Sequence, residues 1–397
     1  MVADSRADGP DRHAEDGPSE LAFVFTGGGA RGAYQVGFLR YVAQRYPDLR
    51  IPILTGVSAG ALNAVHLANQ HGKLVDKVDE LTRLWTELSI DDVFRIDAPS
   101  LFGRAFAWVM QLGLWGGTRK GPTVRGLVDT TPLYSLLKRV LTSSDGSLPG
   151  IALNLARGDL TAVAVTTTEY ATGQTVTWCQ GRSIQEWDRP QRRSHHTTLR
   201  IEHALASAAL PVFFPAVRID RAWYGDGAIR LHAPLAPAIH LGAERIVAIS
   251  TRHACTQLAI HPTLEAPYPQ PAEVLGVLLN SIFLDLLDQD ATRLERINRL
   301  IAGCAGPLPE PLRSVDLLVL RPSRDLAEIA GEYESQLPSA FRWMLRRLGT
   351  HDVHGHDLLS VLLFQGAYAQ RLIELGEADA KAREREIAEL IEGPRKP

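Results

Sequence analysis

Residues 21–45 read LAFVFTGGGARGAYQVGFLRYVAQR, and residues 51–70 read IPILTGVSAGALNAVHLANQ. Both stretches follow one plan. A short, wholly apolar run (Leu21–Phe25, then Ile51–Leu54) is the mark of a strand covered on both faces. A glycine-bounded turn follows each run, and then a helical segment. In Ala33–Arg45 the side chains of Val36, Leu39, Val42 and Ala43 fall on one face, and Ala61–Gln70 reads as the second helix. Strand, helix, strand, helix is the opening of a parallel α/β sheet. Both turns carry candidate chemistry. In Gly27-Gly28-Gly29-Ala30-Arg31-Gly32, the glycines let backbone N–H groups converge on one point without side chains in the way, and a helix start adds the positive end of its dipole. Such a loop takes negative charge, whether a phosphate or a developing oxyanion. Gly56-Val57-Ser58-Ala59-Gly60 has the Gly-x-Ser-x-Gly form of a nucleophile elbow, a tight turn that lifts a serine hydroxyl off the sheet.

The chain has 397 residues, 45% hydrophobic and 22% charged, with a net charge of -3. It can bury a large core, and it lacks the basic excess that nucleic-acid binding demands. Cys179, Cys255 and Cys304 are sparse and without metal-ligand spacing, which argues for a reducing compartment and against a disulfide framework. The stretch 1–20 is acidic and polar and reads as a disordered tail, with no apolar centre for a secretory signal. No run reaches the roughly 18 apolar residues needed to span a bilayer; the nearest, Phe106–Trp115, is short. These features point to a cytoplasmic protein, at most peripheral at a membrane; nothing fixes an oligomeric state.

Further along, Leu160–Thr168 and Thr175–Cys179 alternate like a hairpin. Arg182–Arg200 reads as a basic surface loop, Ile201–Ala209 as a helix, and Arg245–Ser250 and Asp316–Leu320 as two more buried strands. Ser281–Ile301 is an amphipathic helix. Beyond about Arg324 the pattern is helical: Leu326–Leu337, Ala340–Leu348, Leu358–Leu375 and a charged segment through Glu392. There is no internal repeat.

A third motif, Asp226-Gly227-Ala228, follows the apolar Ala222–Tyr224. Alone it is a turn former. Together with the glycine loop and the serine elbow roughly two dozen residues after it, it resembles the patatin-like phospholipase family. Ala206-Ser207-Ala208-Ala209-Leu210-Pro211 with Phe213-Phe214-Pro215 looks like the stretch that precedes the family's catalytic Asp-Gly. The resemblance covers roughly Leu21–Ser250, and the helical stretch 280–300 also looks like bacterial members. It implies a three-layer α/β/α patatin-like fold with a central, mostly parallel sheet, plus C-terminal helices. The division it suggests is the tail (1–20), a catalytic domain (21–323, core 21–250) and a helical extension (324–397). It further implies a lipid acyl hydrolase with Ser58 as nucleophile, Asp226 as proton acceptor and an oxyanion hole at Gly27–Gly32, where Gly28 and Gly29 donate and Arg31 takes the family's basic position. Neither metal nor organic cofactor is implied. The partner is a lipid or acyl-ester substrate, with peripheral membrane contact.

An Asp has an ordinary pKa of about 3.9, so desolvation by Phe213, Phe214 and Trp223 is expected to strengthen it as a base. Helices within 74–141 together with 274–287 are expected to line an acyl slot, and 101–115 is a lid, a membrane-contact surface or a buried helix. Three rival readings accompany this one. A dinucleotide-binding oxidoreductase at Gly27–Gly32 needs an acidic residue at the end of the second strand, and Asp48 precedes that strand. A Ser–Asp–His triad would draw on His232, His240 or His253. A lipid-binding protein of the same fold would have lost the chemistry, yet each of the three motifs is complete.

Overall fold

The computed structural model describes residues 20–95, 126–141, 145–182, 184–253, 286–304, 312–337, 342 and 356–393. Strand β1 (Leu21–Phe25) is buried along its whole length. A 3-10 turn (Gly29–Gly32) leads into α1 (Ala33–Arg45). The second strand, β2 (Ile53–Val57), runs further than its apolar stretch suggests and includes Gly56. It starts late because Pro52 has no N–H to donate, and the Pro52 carbonyl instead accepts from the Thr161 and Ala162 amides. Then come α2 (Ala59–Asn69), α3 (Leu74–Glu87), the single turn α4 (Ile90–Val93), α5 (Thr131–Val140) and α6 (Pro149–Arg157). The expected hairpin is present as β3 (Ala162–Glu169) and β4 (Thr175–Gly181), paired antiparallel.

The basic segment 182–200, expected as a loop, instead forms β5 (Asp188–Arg189) and β6 (Arg192–His196), with β6 parallel to β4. Its sequence shows no apolar alternation because it lies at the sheet margin, where charged side chains are tolerated and discourage further pairing. The chain continues through α7 (Ile201–Ser207), β7 (Val217–Ile219), β8 (Ala222–Asp226), α8 (Ala236–His240) and β9 (Arg245–Ile249). The last elements are α9 (Leu286–Gly303), β10 (Asp316–Leu320), α10 (Leu326–Gly331), α11 (His356–Leu362), α12 (Gly366–Ala382) and α13 (Glu384–Glu392).

Two expected long helices are therefore shorter. The one expected over 326–337 stops at Gly331 and gives way to a 3-10 turn at Glu334–Gln336. The one expected over 358–375 breaks at 363–365, where Phe364 turns inward onto Phe94 with ring centroids 6.2 Å apart. The tail before residue 20, the 101–115 segment, Cys255, 274–285 and most of the helix expected over 340–348 lie outside the described residues.

The sheet runs β10-β9-β1-β2-β3-β4-β6-β5, with β8 on β3 and β7 on β8. Strands β10, β9, β1, β2 and β3 are mutually parallel. The chain's alternation separates two cores. Leu21, Phe23 and Phe25 face a large cluster with α1, α2 and the C-terminal helices, whereas Ala22, Val24 and Ile53 face a smaller one with α8 and α9. This is the three-layer α/β/α arrangement that the resemblance implies. Helix α12 packs on α1: Leu372 and Ile373 share the large core with Phe38 and Leu39, and the Tyr34 hydroxyl donates to Asp379 Oδ2 at 3.1 Å.

Candidate active site

Strand β3 brings the second and third motifs together. Along one edge it pairs with β2 as far as Val57↔Thr166, and the same edge then receives β8, with Asp226↔Thr167 as the next pair. Ser58, one residue beyond Val57, and Asp226 thus abut across consecutive positions of one strand. The β8 end is fixed by the Thr168 hydroxyl donating to the Asp226 carbonyl (2.9 Å) and by the Asp226 amide donating to Ala209 O (3.0 Å).

Ser58 has φ 55° and ψ −133°, a conformation that side chains other than glycine rarely adopt. Its neighbours make the turn possible: a Cβ at position 60 would lie 2.4 Å from Thr26 O and 2.5 Å from Phe25 O, so only glycine lets the elbow press against the end of β1. Sequence reasoning singled out the string holding Ser207 but gave that residue no part. Its hydroxyl accepts the Ser58 amide at 3.0 Å and donates to Thr166 O at 2.6 Å, fully buried. A lone buried hydroxyl among alanines was the available signal. Ser207→Ala would strand that buried N–H. It is expected to cost about 1–3 kcal/mol, read as a lowered urea midpoint; an unchanged midpoint would remove Ser207 from the account.

The glycine loop is held from several sides. The Thr251 hydroxyl donates to Gly27 O at 2.6 Å. Gln35 Nε2 donates to Thr26 O at 2.8 Å, and Asn63 Nδ2 to Gly32 O at 3.1 Å and to Gln35 Oε1 at 2.9 Å, while Trp85 Nε1 donates to Asn63 Oδ1. Among the described residues, the Gly28 and Gly29 amides donate to no protein group. Ala30 and Arg31 are buried, and the Arg31 side chain bonds to α11.

Asp226 is completely buried. Its Oδ1 accepts the Ala228 amide at 2.9 Å, and among the described residues its Oδ2 has no hydrogen-bond partner. Burial pushes its pKa up to about 7, against the smaller opposing pull of the Ser58 hydroxyl and the Ala228 amide. The hydroxyl is thus near enough to act on the carboxylate without completing a hydrogen bond in this resting arrangement. Of the three aromatics expected to desolvate it, Phe213 and Phe214 are buried, whereas Trp223 is 43% exposed.

Ser58 and Gly29 stand in the wall of an apolar cleft of about 100 Å³, lined by Leu62, Leu81, Leu137, Leu141, Phe214 and Leu362. Ala59 to His66 of α2 follow one side of it, about 10 Å at the helical rise. Burial lowers the pKa of His66 to about 4, so the imidazole is neutral and the lining is uncharged near neutral pH.

The residues of the rival readings fall elsewhere. Asp48 is exposed, paired with Lys73 at 3.0 Å before β2 begins. His240 stacks on Trp187, His253 Nδ1 meets Pro322 O at 2.9 Å, and His232 lines a separate cavity beside α8. No histidine is among the groups acting on Asp226. Among the described residues no group of His, Cys, Asp and Glu could hold a metal ion, and no helix is long and apolar enough to cross a membrane.

Several solved structures are similar. VipD from Legionella pneumophila is 11% identical with a TM-score of 0.34, covering 92% of this chain and 66% of its own. Human GIVD cytosolic phospholipase A2 is 10% identical with a TM-score of 0.46, covering 94% of this chain and 60% of its own. ExoU, from the type III secretion system of Pseudomonas aeruginosa, is 15% identical with a TM-score of 0.26, covering 98% and 85%. The chain thus spans about two thirds of the first and three fifths of the second. No curated protein matches the sequence. The Patatin-like phospholipase family model matches residues 23–239, from β1 through α8 and across all three motifs. Since that match takes in more than half of the 397 residues, the chain belongs to the patatin-like phospholipase family.

Proposed function

We propose that the protein is a serine lipid acyl hydrolase of the phospholipase A or lysophospholipase type. In this reading Ser58 is the nucleophile, Asp226 the proton acceptor, and Gly27–Gly32 the oxyanion hole. The observation that carries it is the buried, half-paired Asp226 carboxylate beside the Ser58 hydroxyl at the wall of an apolar cleft.

A serine hydroxyl is a weak nucleophile until a neighbouring base takes its proton. A carboxylate with a pKa near 7 is a far better match to that task at neutral pH than an ordinary aspartate. Ser58 Oγ attacks the ester carbonyl as its proton passes to Asp226 Oδ2. Negative charge gathers on the carbonyl oxygen, within reach of the unengaged Gly28 and Gly29 amides and the N-terminal end of α2. Collapse of the tetrahedral species expels the alcohol or lysolipid, which takes up the proton from Asp226. Water then attacks the acyl-serine with Asp226 again as base, and the proton passes back to Ser58 Oγ as the acyl–oxygen bond breaks and the fatty acid leaves. Every step uses groups of this chain. The acyl chain occupies the cleft between α2, α3 and α5, where neutral apolar walls replace its contact with water.

Incubation with phospholipid, lysophospholipid, neutral lipid and acyl thioester panels tests the reading. Release of fatty acid from at least one class is expected, and a silent panel would sink it. Leu141 is placed at the far end of the cleft, because its carbonyl accepts from Asn69 at the end of α2. Filling that end with Leu141→Trp is expected to lower kcat/KM for long-chain esters about 10- to 100-fold relative to short-chain ones. Equal loss at all chain lengths would show that the chain lies elsewhere.

A further inference from the structure

Arg31 is the only residue of Gly27–Gly32 with a side chain longer than a methyl group. Glycine-rich backbone is conformationally free, so an external hold on Arg31 is a hold on the loop. Arg31 is buried, 2% exposed. Its Nε donates to Ser360 Oγ at 2.7 Å, and its Nη2 donates to Asp357 Oδ1 at 2.8 Å and to the Asp357 carbonyl at 3.4 Å. The Ser360 hydroxyl donates onward to the Asp357 carbonyl at 2.7 Å, closing the set. Both partners lie on α11, far beyond the residues matched by the family.

The same helix makes a second contact with the loop. A Cβ at position 29 would lie 2.2 Å from Val361 O and 2.8 Å from Val361 Cγ1, so the Gly29 backbone rests directly on the turn that holds Arg31. Val361 and Leu362 also line the cleft.

We propose that Asp357 and Ser360 are positioning residues: acting through Arg31, they fix the Gly28 and Gly29 amides where the oxyanion forms. This rests on the hydrolase reading above. Donors must sit about 2.7–3.1 Å from the developing charge, and misplacement by about 1 Å costs on the order of 100-fold. The pair touches no reacting atom. It sets the transition-state donors, not the apolar grip on the chain, so its loss falls on kcat.

The test compares full-length wild type with Ser360→Ala, Asp357→Asn, Asp357→Glu, Arg31→Met and the Arg31→Met/Asp357→Asn double variant, using 4-nitrophenyl octanoate. Ser360→Ala and Asp357→Asn are expected to lower kcat about 10- to 100-fold with KM within about twofold. Asp357→Glu should recover part of the loss. In the Arg31→Met background, Asp357→Asn should add nothing, because its effect travels through the guanidinium. If Asp357→Asn fails to fold with an unpaired buried cation, Ser360→Ala carries the same comparison. Wild-type kcat in Ser360→Ala or a folded Asp357→Asn, a change in KM alone, or multiplicative losses in the double variant would each overturn the proposal. Ser58→Ala in parallel separates the two claims: if it keeps full activity, the hydrolase reading fails, whereas a dead Ser58→Ala beside a fully active Ser360→Ala defeats the clamp alone.

Discussion

Asp226→Asn is expected to lower hydrolysis on the order of 10⁴-fold and at the same time to make the protein more stable. The first effect follows from chemistry: an amide cannot take the Ser58 proton. The second follows from the buried carboxylate. Its pKa in the folded protein is about 7 against an ordinary 3.8. A raised carboxylate favours the folded state fully below the unfolded pKa, and that contribution is lost as pH climbs through the folded value. Wild-type stability therefore falls from this group between about pH 4 and pH 7, while the neutral amide keeps the Ala228 hydrogen bond without the ionisation cost. At pH 8 the variant should exceed wild type by up to about 4 kcal/mol, and the gap should close near pH 4. Chemical denaturation at pH 4, 6 and 8 reads this directly; a gap that does not grow with pH would deny the burial of a charge-prone carboxylate. Wild-type kcat/KM should rise through a pKa near 7 as the base becomes available.

Ser58→Ala is expected to abolish turnover to the same degree, at least about 10⁴-fold, with no gain in stability. Its effect on unfolding should stay within about 1 kcal/mol. The Ser58 amide that holds the elbow to Ser207 is main chain and survives the substitution. The left-handed backbone at position 58 costs alanine about what it costs serine. The contrast is diagnostic: two inactive variants, one stabilised above neutral pH and one not. If Ser58→Ala were stabilised like Asp226→Asn, the gain could not be assigned to the ionisation of the carboxylate. If it kept its turnover, the proposed nucleophile would be wrong.

The parts of the fold legible in sequence are those whose signal is local. Leu21–Phe25 is apolar at every position because both faces of β1 are covered, and the glycine strings mark the turns at its end and at the elbow. Gly56 reads as punctuation and yet belongs to β2, because register with Phe25 and Val165 carries the strand past it. The strand Arg192–His196 was invisible: it is built from cations, histidines and one serine, and only its backbone pairing with β4 makes it a strand. The proximity of Ser58 and Asp226 was likewise beyond any local reading, since it depends on two strands sharing one edge of β3. The contacts of Arg31 lie further still. Ser360 falls in the stretch read as a helix and Asp357 just before it, more than 300 residues away and with no spacing that points back to the loop.

The central claim is that a single serine hydroxyl, activated by one buried carboxylate, is the nucleophile. Intact-mass and peptide mapping after exposure to a long-chain alkyl fluorophosphonate tests it most directly. One adduct is predicted on wild type, on Ser58, formed far more slowly in Asp226→Asn and absent from Ser58→Ala. An adduct on another residue, or labelling of Ser58→Ala at the wild-type rate, would contradict it.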